Sequence, residues 1–295
     1  MEEVHSKERF DVYRAVTDKI VEAIEAGAGA FVMPWHQSRL GRPANAVSKA
    51  QYQGVNVIAL WAEAMVCGYA SHWWATYDQW QRLGAQVGRG QHGATVVFYR
   101  SLEAESEDEE EEKRPRLVAR AFRVFNADQV RGWVAPEPVC MGEAATIEAA
   151  EAFVASTKAN VRLGGEVACF RPLEDLILMP ERERFIGTET STATEAFYAT
   201  LFHELVHWSG APGRLNREFG QRFGDQTYAA EELIAELGAA FLCADYGVSN
   251  KPRRDHAAYL THWLELLRAD KRAIFTAAQK ARQAITYLNS LVLSD

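Results

Sequence analysis

The chain has 295 residues, of which 48% are hydrophobic and 24% are charged, and this balance is typical of a globular protein with a sizeable core. Its apolar runs are too short to span a membrane, and its first residues lack the basic-then-apolar pattern of a secretory signal. The four cysteines include no CxxC pair, which argues against a disulfide framework and against a cysteine-ligated zinc site. We therefore expect a cytoplasmic protein with no membrane partner.

The net charge of −8 is unevenly distributed along the chain. Residues 1–140 carry 16 basic and 19 acidic residues, but eight of these acids lie in the run EAESEDEEEE at 103–112. Without that run the first half has 16 basic residues against 11 acidic ones, whereas residues 141–295 have 16 against 21. The first half can therefore meet an anionic partner although the whole chain is acidic.

Periodicity predicts three helices in the first half, over residues 8–27, 55–68 and 76–86. Gly27 is the expected end of the first helix, and Thr76 is the expected N-cap of the third. The segments 94–101 and 116–126 are β-branched and aromatic, so we expect two strands that form a hairpin. The acidic run would be the loop of that hairpin.

Two prolines and little periodicity indicate a linker at residues 131–143. This linker would separate an N-terminal domain (1–130) from a C-terminal domain (144–295). The second domain is predicted to begin with a helix, continue with short strands at 160–164, 166–170 and 175–180, and end with several long helices. The expected fold class is α+β, with helices that dominate a small sheet.

Residues 203–207 read HELVH within an apolar stretch. Side chains four positions apart lie on one face of a helix, so His203 and His207 can ligate a single ion. Glu204 can then reach a water molecule beside that ion and act as a general base. Because this motif also occurs by chance on ordinary helices, the presence of a third ligand decides whether it is a metal site.

A predicted helix near residues 228–245 carries candidates for the third ligand. Glu232 and Glu236 lie four positions apart among apolar residues, where a carboxylate is costly to bury unless it is paired or metal-bound. The spacing resembles that of thermolysin-like gluzincins, in which one glutamate binds zinc and an acid one turn later orients a histidine. We assign Glu232 to the metal and Glu236 to the orienting role. The reverse assignment, Glu231 as the ligand, and simple surface salt bridges are the alternatives.

Two further features suit a metallopeptidase of the zincin class. We expect the strand predicted at 175–180 to be the edge strand of the sheet, to which an extended peptide substrate can add. Tyr228 could donate a hydrogen bond to the oxyanion of the transition state, although a tyrosine at the start of a helix can equally be a packing residue. The expected cofactor is Zn²⁺, with another divalent ion such as Mn²⁺ as the alternative.

Six of the eight tryptophans lie in residues 1–140, and several of them are interleaved with basic and amide side chains. This composition suits single-stranded DNA, because bases stack on aromatic rings and cations bind the phosphates. Trp61 and Trp80 are expected in the core, whereas adjacent Trp73 and Trp74 cannot share one face. The candidate DNA contacts are Trp35, Arg42, Asn45, Lys49, Tyr52, Trp73, Trp74, Arg89 and His92.

The segments GRPANAVSKAQYQGVN, HWWATYDQWQRLGAQVGRGQHG, RAFRVFNADQ, FHELVHWSG and YAAEELIAELGAAFL occur in this order. In this order they resemble ArdC-type antirestriction proteins of conjugative plasmids, and they are similar to the N-terminal part of TraC-type plasmid primases. The resemblance implies a single-stranded-DNA-binding domain followed by a zincin-like (gluzincin) metallopeptidase domain. It also implies protection of incoming plasmid DNA from host restriction, with His203, His207 and Glu232 at the metal and Glu204 as the base.

Three functions remain open at this point. The leading hypothesis is a single-stranded-DNA-binding antirestriction protein whose peptidase site acts on a DNA-bound or restriction-related protein. The main alternative is a pure DNA-coating protein in which the metal site is structural or vestigial. The third is a nuclease, which is less well suited because phosphodiester cleavage commonly uses paired metal ions.

Overall fold

The computed structural model describes residues 11–28, 32–36, 41–102, 116–136, 143–187, 191–219, 226–249 and 256–292. Within these ranges helices alternate with short strands, so the expected α+β class is confirmed. The predicted acidic loop and the central part of the predicted linker lie outside the described residues. No helix in the described ranges combines the length and apolar character needed to cross a membrane.

The described helices are α1 (Val12–Gly27), α2 (Val55–Cys67), α3 (Tyr77–Arg82), α4 (Glu143–Ser156), α5 (Ala193–Ser209), α6 (Gln226–Tyr246), α7 (His256–Ala269) and α8 (Ala273–Val292). The strands are β1 (Ala44–Asn45), β2 (Trp73–Ala75), β3 (Gln86–Val87), β4 (Ala94–Leu102), β5 (Arg116–Asn126), β6 (Val130–Arg131), β7 (Asn160–Leu163), β8 (Cys169–Arg171) and β9 (Leu176–Met179). They form three small sheets with the orders β1-β2-β5-β4, β3-β6 and β7-β9-β8.

The end of α1 and the start of α3 lie where the sequence indicates, whereas α1 begins at Val12, after its N-cap Asp11, and not at residue 8. Helix α1 ends at Gly27, as predicted. Thr76 is the N-cap of α3, and reciprocal hydrogen bonds between Thr76 and Gln79 form a capping box. Helix α3 is shorter than predicted, because the chain turns at Gly84 with a φ of 75° and enters β3.

Strands β4 and β5 form the predicted antiparallel hairpin, with Ala94 opposite Val124 and Leu102 opposite Arg116. The outer edge of β4 is anchored at its middle by a side chain of α2. The Asn56 amide accepts a hydrogen bond from the backbone N–H of Val97 and donates one to its carbonyl oxygen, both at 2.8 Å. This reciprocal pair fixes α2 along the hairpin.

The prediction that residues 175–180 form an edge strand is wrong. Strand β9 is the central strand of its sheet, with β7 parallel on one side and β8 antiparallel on the other. Leu176, Ile177 and Met179 are buried, and a strand covered on both faces takes the central position. The edge strands of this sheet are therefore β7 and β8.

The two halves of the chain share one hydrophobic core. Helix α2 packs on α8, and the ring centroids of Trp61 and Phe241 lie 5.8 Å apart. An ion pair joins buried Arg42 of the first half to the partly exposed Asp245 of the second at 2.6 Å, and the Arg42 guanidinium lies over the Phe241 ring. The division into domains at 131–143 remains a prediction, and the packing is continuous across it.

Replacing Arg42 with Met is expected to lower the free energy of unfolding by about 1–3 kcal/mol, because the partly exposed Asp245 carboxylate loses its buried partner. Burial raises the pKa of Asp245 to about 6 against the opposing charge of Arg42. A carboxyl group with a raised pKa is neutral below that pKa and is charged above it. The loss caused by Arg42→Met should therefore be larger at pH 8 than at pH 5.

Urea unfolding of the variant and the parent at both pH values measures this effect. The double variant Arg42→Met/Asp245→Leu is the matched control, and it should recover much of the stability lost at pH 8, since no unpaired charge remains. An equal loss at both pH values would contradict the assignment of the effect to Asp245.

Candidate metal centre

Helix α5 presents the two motif histidines on one buried face. It begins at a capping box in which the Thr192 hydroxyl accepts a hydrogen bond from Glu195 N at 3.1 Å, while the Glu195 carboxylate accepts one from Thr192 N at 2.7 Å. His203 and His207 lie one turn apart in the second half of the helix, and both are buried.

Helix α6 crosses α5 closely, because it has a glycine at the crossing point. A Cβ atom on Gly238 would lie 2.6 Å from Cγ2 of buried Val206, so any side chain there would push the helices apart. The close approach brings the acidic residues at the start of α6 against the imidazoles of α5.

Three side chains of ligand type converge between these helices. The potential ligand atoms of His203, His207 and Glu232 all lie within 4.8 Å of one another. The two Nε2 atoms are 3.1 Å apart, and the Glu232 oxygens lie 3.4 Å from Nε2 of His203 and 3.5 Å from Nε2 of His207. Two imidazoles and one carboxylate form a donor set that a catalytic zinc ion takes, with a fourth position open.

The outer nitrogens of both imidazoles face a second pair of carboxylates. Oε1 of Glu236 lies 3.1 Å from Nδ1 of His203, and Oε1 of Glu231 lies 3.2 Å from Nδ1 of His207. These contacts favour a proton on each Nδ1, which leaves two Nε2 lone pairs directed at each other. A cation between them removes that repulsion, so the residues fit the expected metal.

The geometry favours Glu232 over Glu236 as the third ligand, because Glu232 alone approaches both Nε2 atoms. Burial would raise the pKa of Glu232, but its interactions with His203 and His207 outweigh that effect and lower the pKa to about 2. The assignments of Glu232 and Glu236 remain predictions. The role of Glu231 as a support for His207 was missed, since it was considered only as an alternative ligand.

Arg217 holds Glu231 in place, and no pattern in the sequence pointed to it. Its Nη2 and Nε donate to the Glu231 carboxylate at 2.8 and 3.0 Å, and Nη2 also donates to the carbonyl of Val206 at 2.6 Å. Burial opposes ionisation of Glu231, but hydrogen bonds from His207 and Arg217 lower its pKa below the usual value. Gly210 leaves room for this guanidinium, because a Cβ there would lie 2.6 Å from Nη2.

A cavity of about 420 Å³ opens over the converging side chains. Glu204 lines this cavity and forms no hydrogen bond or ion pair with a described residue, so its carboxylate is available to a bound molecule. Tyr228 also lines it, and its hydroxyl lies 3.2 Å from that of Tyr259. Burial raises the pKa of Tyr228. Tyr259 is a second hydroxyl at the site that sequence reasoning missed.

Strand β8 forms part of the wall of this cavity. Cys169 and Phe170 line it, and no described strand pairs with the outer edge of β8. An extended peptide could add to that edge through backbone hydrogen bonds. The edge-strand role that the sequence suggested for 175–180 thus falls to residues 169–171.

The structure divides the nine predicted DNA contacts into two groups. Four of them pack in the interior and are 0–8% exposed: Trp35, Arg42, Tyr52 and Trp74. A DNA strand cannot reach these side chains, so the prediction that they contact DNA is wrong. The other five are partly or fully exposed: Asn45, Lys49, Trp73, Arg89 and His92.

Adjacent Trp73 and Trp74 lie on opposite faces of β2, as predicted, and only Trp73 reaches the surface. Nζ of Lys49 lies 4.5 Å from the centroid of the Trp73 ring, and Trp133 lies edge-on to that ring at 6.3 Å. The prediction that Trp61 and Trp80 are core residues is confirmed.

Known families match both halves of the chain. A family described as a zincin-like metallopeptidase matches residues 148–280, and the family of the N-terminal domain of the anti-restriction factor ArdC matches residues 10–125. The second half is therefore a zincin-like metallopeptidase domain, and the first half is an ArdC N-terminal domain.

Crystal structures of the antirestriction protein ArdC from plasmid R388 are similar over nearly the whole chain. The metal-free structure is 37% identical, with a TM-score of 0.76 and coverage of 96% of this chain and 98% of that one. The Mn(II)-bound structure is 36% identical, with a TM-score of 0.76 and coverage of 97% and 99%. The chain belongs to the ArdC family of antirestriction proteins.

Two further relatives show how far the similarity extends. The uncharacterised protein y4eC of Sinorhizobium fredii is 44% identical over 95% of this chain and 92% of its own length. DNA primase TraC of Escherichia coli is 32% identical over 92% of this chain but over only 26% of the primase. The chain thus corresponds to about a quarter of that primase.

Removing either supporting carboxylate should weaken metal binding without abolishing it. Glu231→Ala and Glu236→Ala are each expected to lower the affinity for Zn²⁺ by roughly 10–100-fold, because a ligand imidazole loses the group that orients it. Competition against a fluorescent chelator measures the affinity. Glu181→Ala, at an exposed position away from the site, should bind as the parent does. Parent-like affinity in both site variants would contradict the orienting role.

Proposed function

We propose that this protein protects plasmid DNA that enters a cell as a single strand during conjugation from host restriction in the cytoplasm, and that its metal centre is a peptidase site. The observation that carries the proposal is the convergence of His203, His207 and Glu232 beside a cavity lined by Glu204, in a member of the ArdC family.

His203, His207 and Glu232 would hold one divalent ion. Zn²⁺ suits this donor set, and one crystal structure of the R388 relative contains bound Mn(II). When bound, the ion would polarise a peptide carbonyl and make a water molecule more acidic. The side chains around it then need only to move protons and to hold the substrate.

Glu204 suits the role of general base, because its carboxylate lines the cavity and has no partner among the described residues. It would take a proton from the attacking water and deliver it to the leaving amine as the C–N bond breaks. The hydroxyls of Tyr228 and Tyr259 could stabilise the oxyanion. The free edge of β8 would hold the substrate backbone in an extended form.

The proposed substrate is a DNA-bound or restriction-related protein. A protein that holds a single strand and carries a peptidase site raises the local concentration of any other protein on the same strand. Proteolysis near the entering DNA then needs no high affinity between the peptidase and its substrate.

Exposed cations and half-buried rings of the first half support single-strand binding. Lys49 forms an aromatic-basic cluster with Trp73 and Trp133, whose rings are half-buried, and Arg89 and His92 lie exposed in the segment between β3 and β4. Rings of this kind stack on bases of any sequence, and the cations bind phosphates.

The variant Glu204→Gln tests whether proteolysis is part of the function. It is expected to keep its metal and its DNA affinity while losing antirestriction activity, because Gln cannot accept the proton. Transfer of an unmodified plasmid into restricting and non-restricting recipients measures this activity, with Glu181→Gln as the matched control. Full protection by Glu204→Gln would instead support the coating-protein alternative.

Trp73→Ala should lower the affinity for an oligo(dT) strand by about 5–100-fold, because one stacked base is worth about 1–3 kcal/mol. Trp74→Ala and Trp61→Ala should act mainly on stability, at a cost of about 3–5 kcal/mol each, because both rings are buried. Fluorescence anisotropy over a range of salt concentrations, combined with thermal unfolding, separates the two effects. Salt-insensitive binding, or a preference for duplex DNA, would contradict the hypothesis that single-stranded DNA stacks on these rings.

A further inference from the structure

A second cavity, of about 890 Å³, lies between the two halves of the chain. Its walls are the loop that leads into α2, the β4 strand and one face of α8. It shares no lining residue with the cavity over the metal centre. We call it the junction cavity.

None of the described residues that line the junction cavity is acidic, although the protein has 40 acidic residues and a net charge of −8. Two arginines line it instead: Arg272, which immediately precedes α8, and Arg282 of α8. Both are exposed, and neither forms an ion pair with a described residue. The Arg272 guanidinium lies over the Tyr13 ring at 4.8 Å, which holds it at the cavity wall. The cavity is therefore an electropositive recess in an acidic protein.

One face of α8 supplies the polar wall. Thr276, Gln279 and Arg282 follow at intervals of three residues and line up along the helix, and Arg272, one residue before its start, lies four positions ahead of Thr276. The opposite wall holds Gln51 and Gln53. The amides of Gln51, Gln53 and Gln279 are exposed and make no hydrogen bond with a described residue. A free amide offers a donor and an acceptor, which is the pattern that the edge of a base requires.

Large aromatic side chains stand exposed where β4 borders this cavity. Phe98 is 49% exposed and Tyr99 is 47% exposed, and both line it. Phe98 also contacts Phe122 of β5, which is 42% exposed, with ring centroids 5.6 Å apart. Successive strand residues face opposite ways, so Phe98 and Phe122 form one exposed aromatic pair and Tyr99 lies on the other face of β4. Exposed rings of this size are costly in water and are typical of a binding surface. Next to free amides and unpaired cations, they suit unpaired bases.

We propose that the junction cavity binds a nucleotide unit of single-stranded DNA. The base would stack on one of the exposed rings of β4, Phe98 or Tyr99, and hydrogen-bond with the glutamine amides, while Arg272 and Arg282 bind the flanking phosphates. The volume is that of a small-molecule site, which admits an unpaired base but not a duplex. This inference rests on the proposed single-strand binding, and it adds that α8, a helix of the metallopeptidase half, is part of the DNA site.

Two pairs of full-length variants test the inference, each with a control on the same helix. Gln279→Trp fills the cavity, whereas Gln283→Trp places the same ring one turn further along the exposed surface of α8. Arg282→Glu reverses a charge in the cavity, whereas Lys280→Glu reverses one outside it. Affinities for oligo(dT), for the matching duplex and for free dTMP are measured by anisotropy and calorimetry, and circular dichroism checks the fold of each variant.

Gln279→Trp and Arg282→Glu should each bind oligo(dT) at least about tenfold more weakly than the parent, and Arg282→Glu should also show a shallower salt dependence. Both controls should stay within about twofold of the parent. Photocrosslinking of an iodouracil-containing strand should label Tyr99 or Phe98 in the parent and not in Gln279→Trp.

Each contrary result has a distinct meaning. Parent-like DNA affinity in both folded cavity variants would overturn this inference and leave the proposed function standing. Binding of dTMP that Gln279→Trp abolishes without any effect on oligo(dT) would assign the cavity to a free nucleotide and also overturn it. A parent protein that binds no single strand would overturn the inference together with the proposed DNA binding.

Discussion

The close crossing of α5 and α6 is the contact on which the metal centre depends. It places His203 and His207 of α5 against three glutamates of α6 in a region otherwise filled with apolar side chains. A buried charge is costly without a partner within hydrogen-bond distance, and the two histidines and three glutamates find such partners across the helix crossing, with Arg217 added at Glu231. Gly238 against Val206 sets that separation, so a residue with no functional group decides whether the functional groups meet.

Helix α6 also joins the two halves of the protein. It carries Glu232 near its start and, towards its end, Phe241 and Asp245, which contact Trp61 and Arg42 of the first half. Helix α8 packs along the same helix. Because all of these contacts lie in one continuous core, the first half cannot shift on the second without disturbing the helix that holds the metal-site carboxylates.

Local patterns in the sequence were sufficient to predict the helices, the β4–β5 hairpin and the spacing of the candidate ligands. They were insufficient for the order β7-β9-β8 and for Arg217, because both depend on residues that are distant along the chain. The alternation of a strand requires Trp73 and Trp74 to face opposite ways, but it does not say which faces the core. The prediction that Trp35 contacts DNA was wrong for a similar reason, because amino-acid composition does not show which side chains are buried.

A shared rigid core does not by itself make one site regulate the other, since coupling needs an element with two arrangements that both ligands bias. The metal centre and the junction cavity are linked by packed helices in a single arrangement. The proposed function therefore needs no allosteric coupling, because tethering of the substrate protein through the bound strand is enough to connect DNA binding with peptide cleavage. A strand held against α8 would keep its other bound proteins near the metal centre, and the effective concentration would then depend on the length of free strand between them.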